Sequence, residues 1–170
     1  LTRLEHQSTA ENISSFSLDE QLRRTLLSLE SQWDAKKLQL DVHLEETVIC
    51  QGDDELLFQV WTNLLTNAIK FSNPGGLLYL SLEIEGSKAC VEIGDNGCGM
   101  NEETMRRVFE KFYQGDTSHQ TEGSGLGLSI VKRIIDLHQG EISYQSAPDK
   151  GTLCTVRIPL QHPESPQVYI

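Results

Sequence analysis

The spacing of apolar residues along the chain predicts amphipathic helices separated by short strands. A first helix is expected over residues 18–37 because apolar side chains recur there every three or four positions. Ser17 precedes this helix and Glu20 follows three residues later, a pattern typical of a capping box. The apolar stripe of this helix consists of Leu18, Leu22, Leu26 and Leu29.

Alternation of apolar and polar residues predicts the strands. Residues 38–43 and 46–50 alternate in this way and are expected to pair with each other as a hairpin. Short turns divide the remaining strands into two further antiparallel pairs. These strands are residues 78–85, 88–94, 141–146 and 151–159.

Two more long helices and a short one complete the pattern. Asp53 or Asp54 is expected to cap the second long helix. The predicted fold class is α/β (α+β): a two-layer sandwich in which a mixed, mostly antiparallel sheet of about five strands is covered on one face by three helices. The helices expected after the first are residues 54–71, 101–108 and 124–138.

The length of 170 residues suits one folded domain. Residues 1–15 are polar and are expected to be the end of an earlier helix followed by a linker. Residues 16–160 would form the domain, and residues 161–170 a C-terminal tail. The first residue is Leu1 rather than Met, which indicates a fragment of a longer protein.

Net charge, apolar runs and cysteine spacing exclude several classes of protein. The net charge of −11 argues against a nucleic-acid partner, because phosphate backbones need clustered Lys and Arg. No apolar run approaches the length of a membrane span. The cysteines are scattered without a paired motif and are interpreted as free thiols; they are Cys50, Cys90, Cys98 and Cys154.

A polar row on the second long helix is a candidate metal and phosphate site. Gln59, Asn63, Asn67 and Lys70 follow at spacings of four, four and three, which places them along one side of the helix. A solvated face would explain such a row in most helices. However, Asn is a poor residue for the middle of a helix, and its amide oxygen is a suitable ligand for Mg²⁺.

Asp95 follows a buried strand and is a candidate for base recognition. Its carboxylate could accept a hydrogen bond from an exocyclic amine, and Gly97 and Gly99 would leave room for a flat base. A turn-forming Asp before Gly is the alternative.

A second glycine-rich run, Gly123 to Gly127, leads into the third long helix. Backbone N–H groups at a helix start can bind phosphate oxygens, whereas the alternative is a flexible loop. Phe109, Phe112 and Tyr113 flank the polar stretch before it. They could anchor a mobile lid, form a small satellite core, or do both.

These four segments together resemble the catalytic, ATP-binding domain of sensor histidine kinases in the GHKL ATPase superfamily. The resemblance covers about residues 16–160 and implies a Bergerat-type ATP-binding fold. The segments are the N box at 63–72, the G1 box at 95–100, the F box at 109–112 and the G2 box at 123–128.

The resemblance implies a role for each matching residue. Asn67 would coordinate Mg²⁺ with help from Asn63, and Lys70 would contact phosphate. Asp95 would read adenine N6, and Thr152 would support it. The catalytic residues implied are Asn63, Lys70 and Lys111. The remaining residues implied in the ATP pocket are Phe71, Gly97, Gly99, Met100, Phe109, Phe112, Tyr113, Gly123, Gly125, Leu126, Gly127 and Leu128.

Asn63 favours a kinase over an ATPase. Hydrolytic members of the superfamily carry a Glu at this position, which acts as a general base on water, and an amide cannot accept a proton near neutral pH. The chain has Lys111 and Gln114 where family members often have Arg. It also lacks the family's phosphoacceptor motif, so the γ-phosphoryl group is expected to pass to a histidine upstream. Leu1–Glu5 resembles the end of the dimerisation helix that would carry it.

The resemblance also implies partners: the chain's own dimerisation and phosphotransfer domain, and a response regulator. The isolated domain is expected to be a monomer, and the parent protein a homodimer. The domain would be cytoplasmic and the parent would lie in a bacterial membrane. The alternatives are a protein-serine kinase or ATPase of the same fold, and a nucleotide-binding module without catalysis.

Overall fold

The computed structural model describes residues 12–110 and 127–162. Its central feature is a five-stranded sheet, accompanied by a separate two-stranded sheet. In chain order the elements are β1 (Ser14–Ser17), α1 (Leu18–Ser28), α2 (Glu30–Ala35), β2 (Gln39–Leu44), β3 (Ile49–Gly52), α3 (Asp54–Phe71), β4 (Leu77–Glu85), β5 (Lys88–Asp95), α4 (Glu102–Arg107), α5 (Gly127–Leu137), β6 (Glu141–Ser146) and β7 (Thr152–Pro159).

The strands of the large sheet lie in the order β2-β4-β5-β7-β6. β2 runs parallel to β4, and the other neighbours are antiparallel. The predicted mixed, mostly antiparallel sheet of about five strands is therefore confirmed. The predicted pairs β4–β5 and β6–β7 are also confirmed.

The predicted hairpin of residues 38–43 with 46–50 is wrong. β2 pairs with β4, and β3 pairs antiparallel with β1 in the two-stranded sheet. The chain leaves the large sheet after Leu44, and Thr47, just before β3, adopts a left-handed conformation at φ 57°. The alternation of residues fixes which side of a strand faces the core, but it does not choose the neighbouring strand.

The first helix differs from its prediction in two ways. It is divided at Leu29 into α1 and α2. The capping box is wrong because the Ser17 hydroxyl donates to Asp19 at 2.7 Å and Glu20 pairs with Arg23. The first N–H of the helix, that of Leu18, donates instead to the Val48 carbonyl at 2.8 Å.

The three longer helices, α1, α3 and α5, pack on one face of the large sheet and enclose the core. Trp61 of α3 and Ile134 of α5 are fully buried between the sheet and the other helices. Burial of a large apolar side chain stabilises a fold by about 1.5–3 kcal/mol, so this single layer of side chains holds the two layers together. Its sheet members include Leu80, Val91 and Val156. The two-layer sandwich is as predicted.

Two structured segments lie near the predicted domain limits at residues 16 and 160. β1 begins at Ser14, before the expected boundary at residue 16. At the other end His162 is buried, and its backbone N–H donates to the Gln51 side chain at 3.2 Å. Within residues 12–110 and 127–162, no helix combines the length and apolar character needed to cross a membrane.

Candidate functional site

The helix α3 carries the predicted polar row along one edge of its apolar face. Asp53 caps the helix by accepting a hydrogen bond from the Leu56 N–H at 3.2 Å, as expected. Asn63, Asn67 and Lys70 are half-buried, whereas Gln59 is exposed. A solvated helix face therefore explains Gln59 but not the other three residues of the row.

Asn63 faces the first described turn of α5. An ideal Cβ atom built on Gly127 would lie 4.0 Å from the Asn63 side-chain oxygen. α5 is held in this place because Val131 and Ile134 are fully buried in the core. The amide of Asn63 thus sits where α3 and α5 meet, next to the end of the predicted phosphate-binding run.

Six predicted site residues lie outside the described residues: Lys111, Phe112, Tyr113, Gly123, Gly125 and Leu126. Leu128, which follows Gly127, is half-buried and packs against the core. Phe71 is also half-buried, with the Lys70 ammonium 5.4 Å from the centre of its ring.

Asp95 ends β5 on the side of the sheet that faces the helices. It lies opposite Leu78 of β4 and Thr152 of β7 in the strand register. Burial raises its pKa to about 6, while a hydrogen bond from the Gly97 N–H and the charge of Lys36 act in the opposite direction. A half-buried carboxylate that is ionised at neutral pH is a strong acceptor for a donor entering from the helix side.

Gly97 and Gly99 are required by the chain's own backbone. A Cβ atom on Gly97 would lie 1.9 Å from the Phe71 carbonyl oxygen. Gly99 has φ +67°, and its Cβ would lie 1.9 Å from the Ala147 carbonyl oxygen. The structure therefore gives these glycines a reason of its own, the close packing of the 96–100 loop on the end of α3 and on the turn after β6, and room for a flat base stays a prediction.

Thr152 and Met100 meet at Ser146. The Met100 N–H donates to the Ser146 hydroxyl at 2.8 Å, and this hydroxyl donates to the Gly151 carbonyl at 2.8 Å. Because a hydroxyl has one proton, the Thr152 hydroxyl donates to Ser146 across 2.9 Å. Thr152 therefore lies opposite Asp95 in the paired strands. Its hydroxyl donates to Ser146, which in turn holds the 96–100 loop at Met100.

Phe109 packs on β6. Its ring centre lies 5.7 Å from that of Tyr144, with the planes tilted by 50°. Burial raises the pKa of Tyr144 well above its usual range, so its phenol stays neutral beside Asp95. Phe112 and Tyr113 lie outside the described residues, so the predicted cluster of the three aromatic residues stays a prediction.

An open cleft of about 430 Å³ lies beyond this edge of the sheet. Tyr79, Gly94 and Leu153, which alternate with the core-facing residues, contribute to its lining. Asp95, Ser146 and Thr152 also line it, so the cleft reaches the strand ends that carry the candidate base-recognition residues.

Sequence reasoning missed three residues that organise the site. Ser146 gave no signal beyond a polar residue near a strand end. Lys36 caps the end of α3 from a distant part of the chain, and His138 bonds the start of α3. A lone Lys or His carries no local pattern that would single it out.

Comparisons with known proteins agree with this geometry. A family model described as histidine kinase-, DNA gyrase B-, and HSP90-like ATPase matches residues 52–162. The chain is 36% identical over 166 residues to the circadian input-output histidine kinase CikA of Synechococcus elongatus, an alignment covering 95% of this chain and 22% of CikA.

Solved structures show the same fold. The catalytic domain of the histidine kinase ThkA matches with a TM-score of 0.79 at 26% identity, covering 88% of this chain and 97% of that domain. ThkA in complex with the response regulator TrrA matches with a TM-score of 0.76 at 24% identity, covering 90% of this chain and 43% of that one. The chain belongs to the family of histidine kinase-, DNA gyrase B- and HSP90-like ATPases, and its fold is that of histidine kinase catalytic domains.

Proposed function

We propose that this chain binds Mg·ATP between α3, the 96–100 loop and α5, and donates the γ-phosphoryl group to a histidine of another domain. The observation that carries this proposal is the position of Asn63. Its amide is half-buried on α3 and faces Gly127 at the first described turn of α5. Phosphate groups held at this junction would lie beside an amide that cannot act as a base.

The residues on α3 fit a magnesium ion. Asn63 and Asn67 lie one helical turn apart, and both side chains are half-buried. Their amide oxygens are hard ligands, and Mg²⁺ takes few protein ligands because it keeps water and phosphate oxygens around it. When bound, the ion would neutralise charge on the phosphates. Lys70, one turn further along α3, would add a positive charge at the phosphates.

Asp95 would recognise the base. Its pKa of about 6 leaves most of the carboxyl ionised at pH 7, and one of its oxygens already accepts from the Gly97 N–H at 2.9 Å. The other oxygen would accept from adenine N6. Guanine presents a carbonyl oxygen at the corresponding position, so two acceptors would face each other and GTP would bind weakly.

The acceptor would be an imidazole nitrogen rather than water. Phosphoryl transfer depends mainly on positioning and charge neutralisation, so a domain without a general base can still transfer to a good nucleophile. A bond from the imidazole nitrogen to the γ-phosphorus would form as the bond from that phosphorus to the ADP oxygen breaks. The domain's own residues would hold ATP in place for this step.

The partners follow from this reaction. The histidine would lie on the chain's own dimerisation and phosphotransfer domain, and a response regulator would receive the phosphoryl group next. ThkA has been solved with a response regulator, which supports a response regulator as a partner. We place the domain in the cytoplasm, as part of a homodimeric sensor anchored in a bacterial membrane.

Binding of ADP, ATP and GTP to the 170-residue chain, measured by calorimetry with and without Mg²⁺, tests the first half of the proposal. Adenine-selective, Mg²⁺-sensitive binding on the order of micromolar to millimolar Kd is expected. Transfer from γ-labelled ATP to a separately supplied phosphotransfer domain tests the second half. Binding without transfer would make the chain a nucleotide-binding module, and steady release of phosphate to water would make it an ATPase.

A further inference from the structure

Lys36, the residue after α2, reaches the end of the long helix α3. Its ammonium donates hydrogen bonds to the carbonyl oxygens of Ile69 at 2.8 Å, Lys70 at 2.7 Å and Ser72 at 2.9 Å. An ammonium has three protons, so these bonds use all of them. The side chain is half-buried, and a cation at a helix C-terminus also interacts favourably with the helix dipole.

The last four carbonyls of a helix have no partner within the helix, and α3 satisfies all of its own. Ser72 donates to the Ala68 carbonyl, and the Cys98 N–H donates to the Phe71 carbonyl at 3.3 Å. The carbonyls of Ile69 and Lys70, which lie between these two, accept hydrogen bonds from the Lys36 ammonium. The end of α3 is therefore held on one side by Lys36 and on the other by the 96–100 loop.

The backbone of Lys36 is fixed as well. Its carbonyl accepts from the Gly75 N–H at 2.7 Å, in the turn between α3 and β4. Lys36 is thus bonded through both its backbone and its side chain to the segment 69–75, which contains Lys70 and Phe71 of the candidate site. Its neighbour Lys37 differs, because its side chain is exposed and lies 3.6 Å from Asp34.

Lys36 also acts on Asp95 through its charge. Burial raises the pKa of Asp95, and among the described residues Lys36 is the cation that opposes this rise. The other titratable groups facing Asp95 are the Tyr144 phenol and the Cys98 thiol, and burial raises the pKa of both. Both are therefore neutral at pH 7, so Lys36 is the charged group that adds to the Gly97 hydrogen bond in favouring the ionised form of Asp95.

We propose that Lys36 is a positioning residue of the nucleotide site: it holds the end of α3 against the 96–100 loop and supplies the positive charge that faces Asp95. This inference rests on the proposed function, since Asp95, Lys70 and Phe71 are assigned there to the nucleotide. Lys36 lies outside all four sequence segments that define the resemblance.

The first test follows the Asp95 carboxyl by carbon-detected NMR in the nucleotide-free chain, in wild type, Lys36→Met and the matched control Lys37→Met. The titration midpoint of Asp95 is expected to rise in Lys36→Met and to stay at the wild-type value in Lys37→Met. An unchanged midpoint in folded Lys36→Met would overturn the electrostatic part of the inference.

The second test measures ADP affinity of the same variants between pH 6 and pH 8. Lys36→Met is expected to bind about three- to tenfold more weakly at pH 8, with a larger loss at pH 6, where more of its Asp95 is protonated. Lys36→Arg keeps the charge and is expected to restore the wild-type pH profile. Equal affinity and profile in wild type and Lys36→Met would overturn the positioning role.

Two further cases are covered by separate measurements: a variant that does not fold, and a wild-type chain that binds no nucleotide. If Lys36→Met does not fold, nitrogen-15 NMR of the wild-type lysine ammonium groups replaces it. A Lys36 signal protected from exchange, assigned through Lys36→Arg, supports the inference, and a signal that exchanges as fast as that of Lys37 contradicts it. If wild type binds no nucleotide, the proposed function fails, while the Asp95 titration still decides whether Lys36 acts on Asp95.

Discussion

The backbone N–H of Asp53 donates a hydrogen bond to Nε2 of His138 across 3.0 Å. Nδ1 of His138 lies 2.8 Å from the Ile134 carbonyl, so the ring proton is on Nδ1 and the ring is neutral. Asp53 caps α3 and His138 directly follows α5. One buried imidazole thus joins the two helices that carry the candidate site.

Replacement of His138 is expected to lower the free energy of unfolding. His138→Leu leaves the Asp53 N–H and the Ile134 carbonyl without this partner in a buried place, and each lost buried bond of this kind costs about 1–3 kcal/mol. Urea unfolding at pH 7.5 measures the change. His43→Leu, at an exposed histidine of β2, is the control and is expected to change stability by less than about 0.5 kcal/mol.

The stabilisation by His138 should depend on pH. Burial lowers the pKa of His138, and His162 lies near it at 6.1 Å between ring centres. The unfolded state therefore takes up a proton near pH 6.5 while the native state does not, so the stabilisation is complete above about pH 6.5 and is lost as the pH falls below it. The stability gap between wild type and His138→Leu should shrink at pH 5; a constant gap would contradict this.

Asp95→Asn is expected to weaken ADP binding. The amide NH₂ group would face the N6 donor of adenine, and loss of a bond to a charged acceptor costs about 1.5–3 kcal/mol, or roughly tenfold or more in Kd. Calorimetry with ADP and GDP measures the change in both affinity and base preference. An unchanged preference would remove Asp95 from base recognition.

The pH dependence of wild-type ADP binding provides a second view of Asp95. With a pKa of about 6, the carboxyl becomes protonated as the pH falls through 6, so affinity is expected to decline there and the Asp95→Asn profile to stay flat. The stability of the nucleotide-free chain is expected to depend on pH in the opposite direction from ADP affinity. The raised pKa stabilises the native state at low pH, and that contribution is lost as the pH rises through about 6.

Asn67→Asp tests the magnesium site. An altered ligand and an added negative charge should reduce the affinity for Mg·ATP by about tenfold, and binding of ADP without Mg²⁺ should also weaken because the carboxylate repels the phosphates. Gln59→Glu, an exposed change on the same helix, adds equal charge and is expected to have little effect. Wild-type affinity and transfer in Asn67→Asp would exclude Asn67 as a ligand.

Gly97→Ala tests the close packing of the 96–100 loop. The new Cβ would lie 1.9 Å from the Phe71 carbonyl, so the backbone must shift, with an expected loss of about 2–4 kcal/mol in stability and weaker ADP binding. Gly75→Ala is the matched control. Gly75 has φ +76° but open space around it, so only backbone strain of about 1–2 kcal/mol is expected. Equal losses in the two variants would argue against the packing explanation.

The sequence predicted α3 well because its signals are local. The Asp53 cap, the apolar stripe and the half-buried Asn63 all lie within one helix, and a helical period places them without knowledge of the rest. The turn Gly86-Ser87 likewise sets β4 beside β5. Such contacts join residues that are close in the chain.

The contacts that the sequence did not predict join residues that are far apart in the chain. β3 alternates like a partner of β2, but its actual partner β1 lies across α1 and α2 in the chain. The bonds of Lys36 to α3 and of Ser146 to Met100 also join distant segments. Their geometry follows from how the layers assemble, so no pattern within either segment reveals it.

The two-stranded sheet places the incoming chain beside the start of α3. Ser14 is paired with Gly52, and Gly52 directly precedes the helix cap Asp53. A displacement of the backbone at Ser14 would therefore reach the start of α3 through one pair of strands, β1 and β3, and would not have to pass through the large sheet. A mechanical signal from a preceding segment would have a path a few residues long to the helix that carries Asn63 and Asn67.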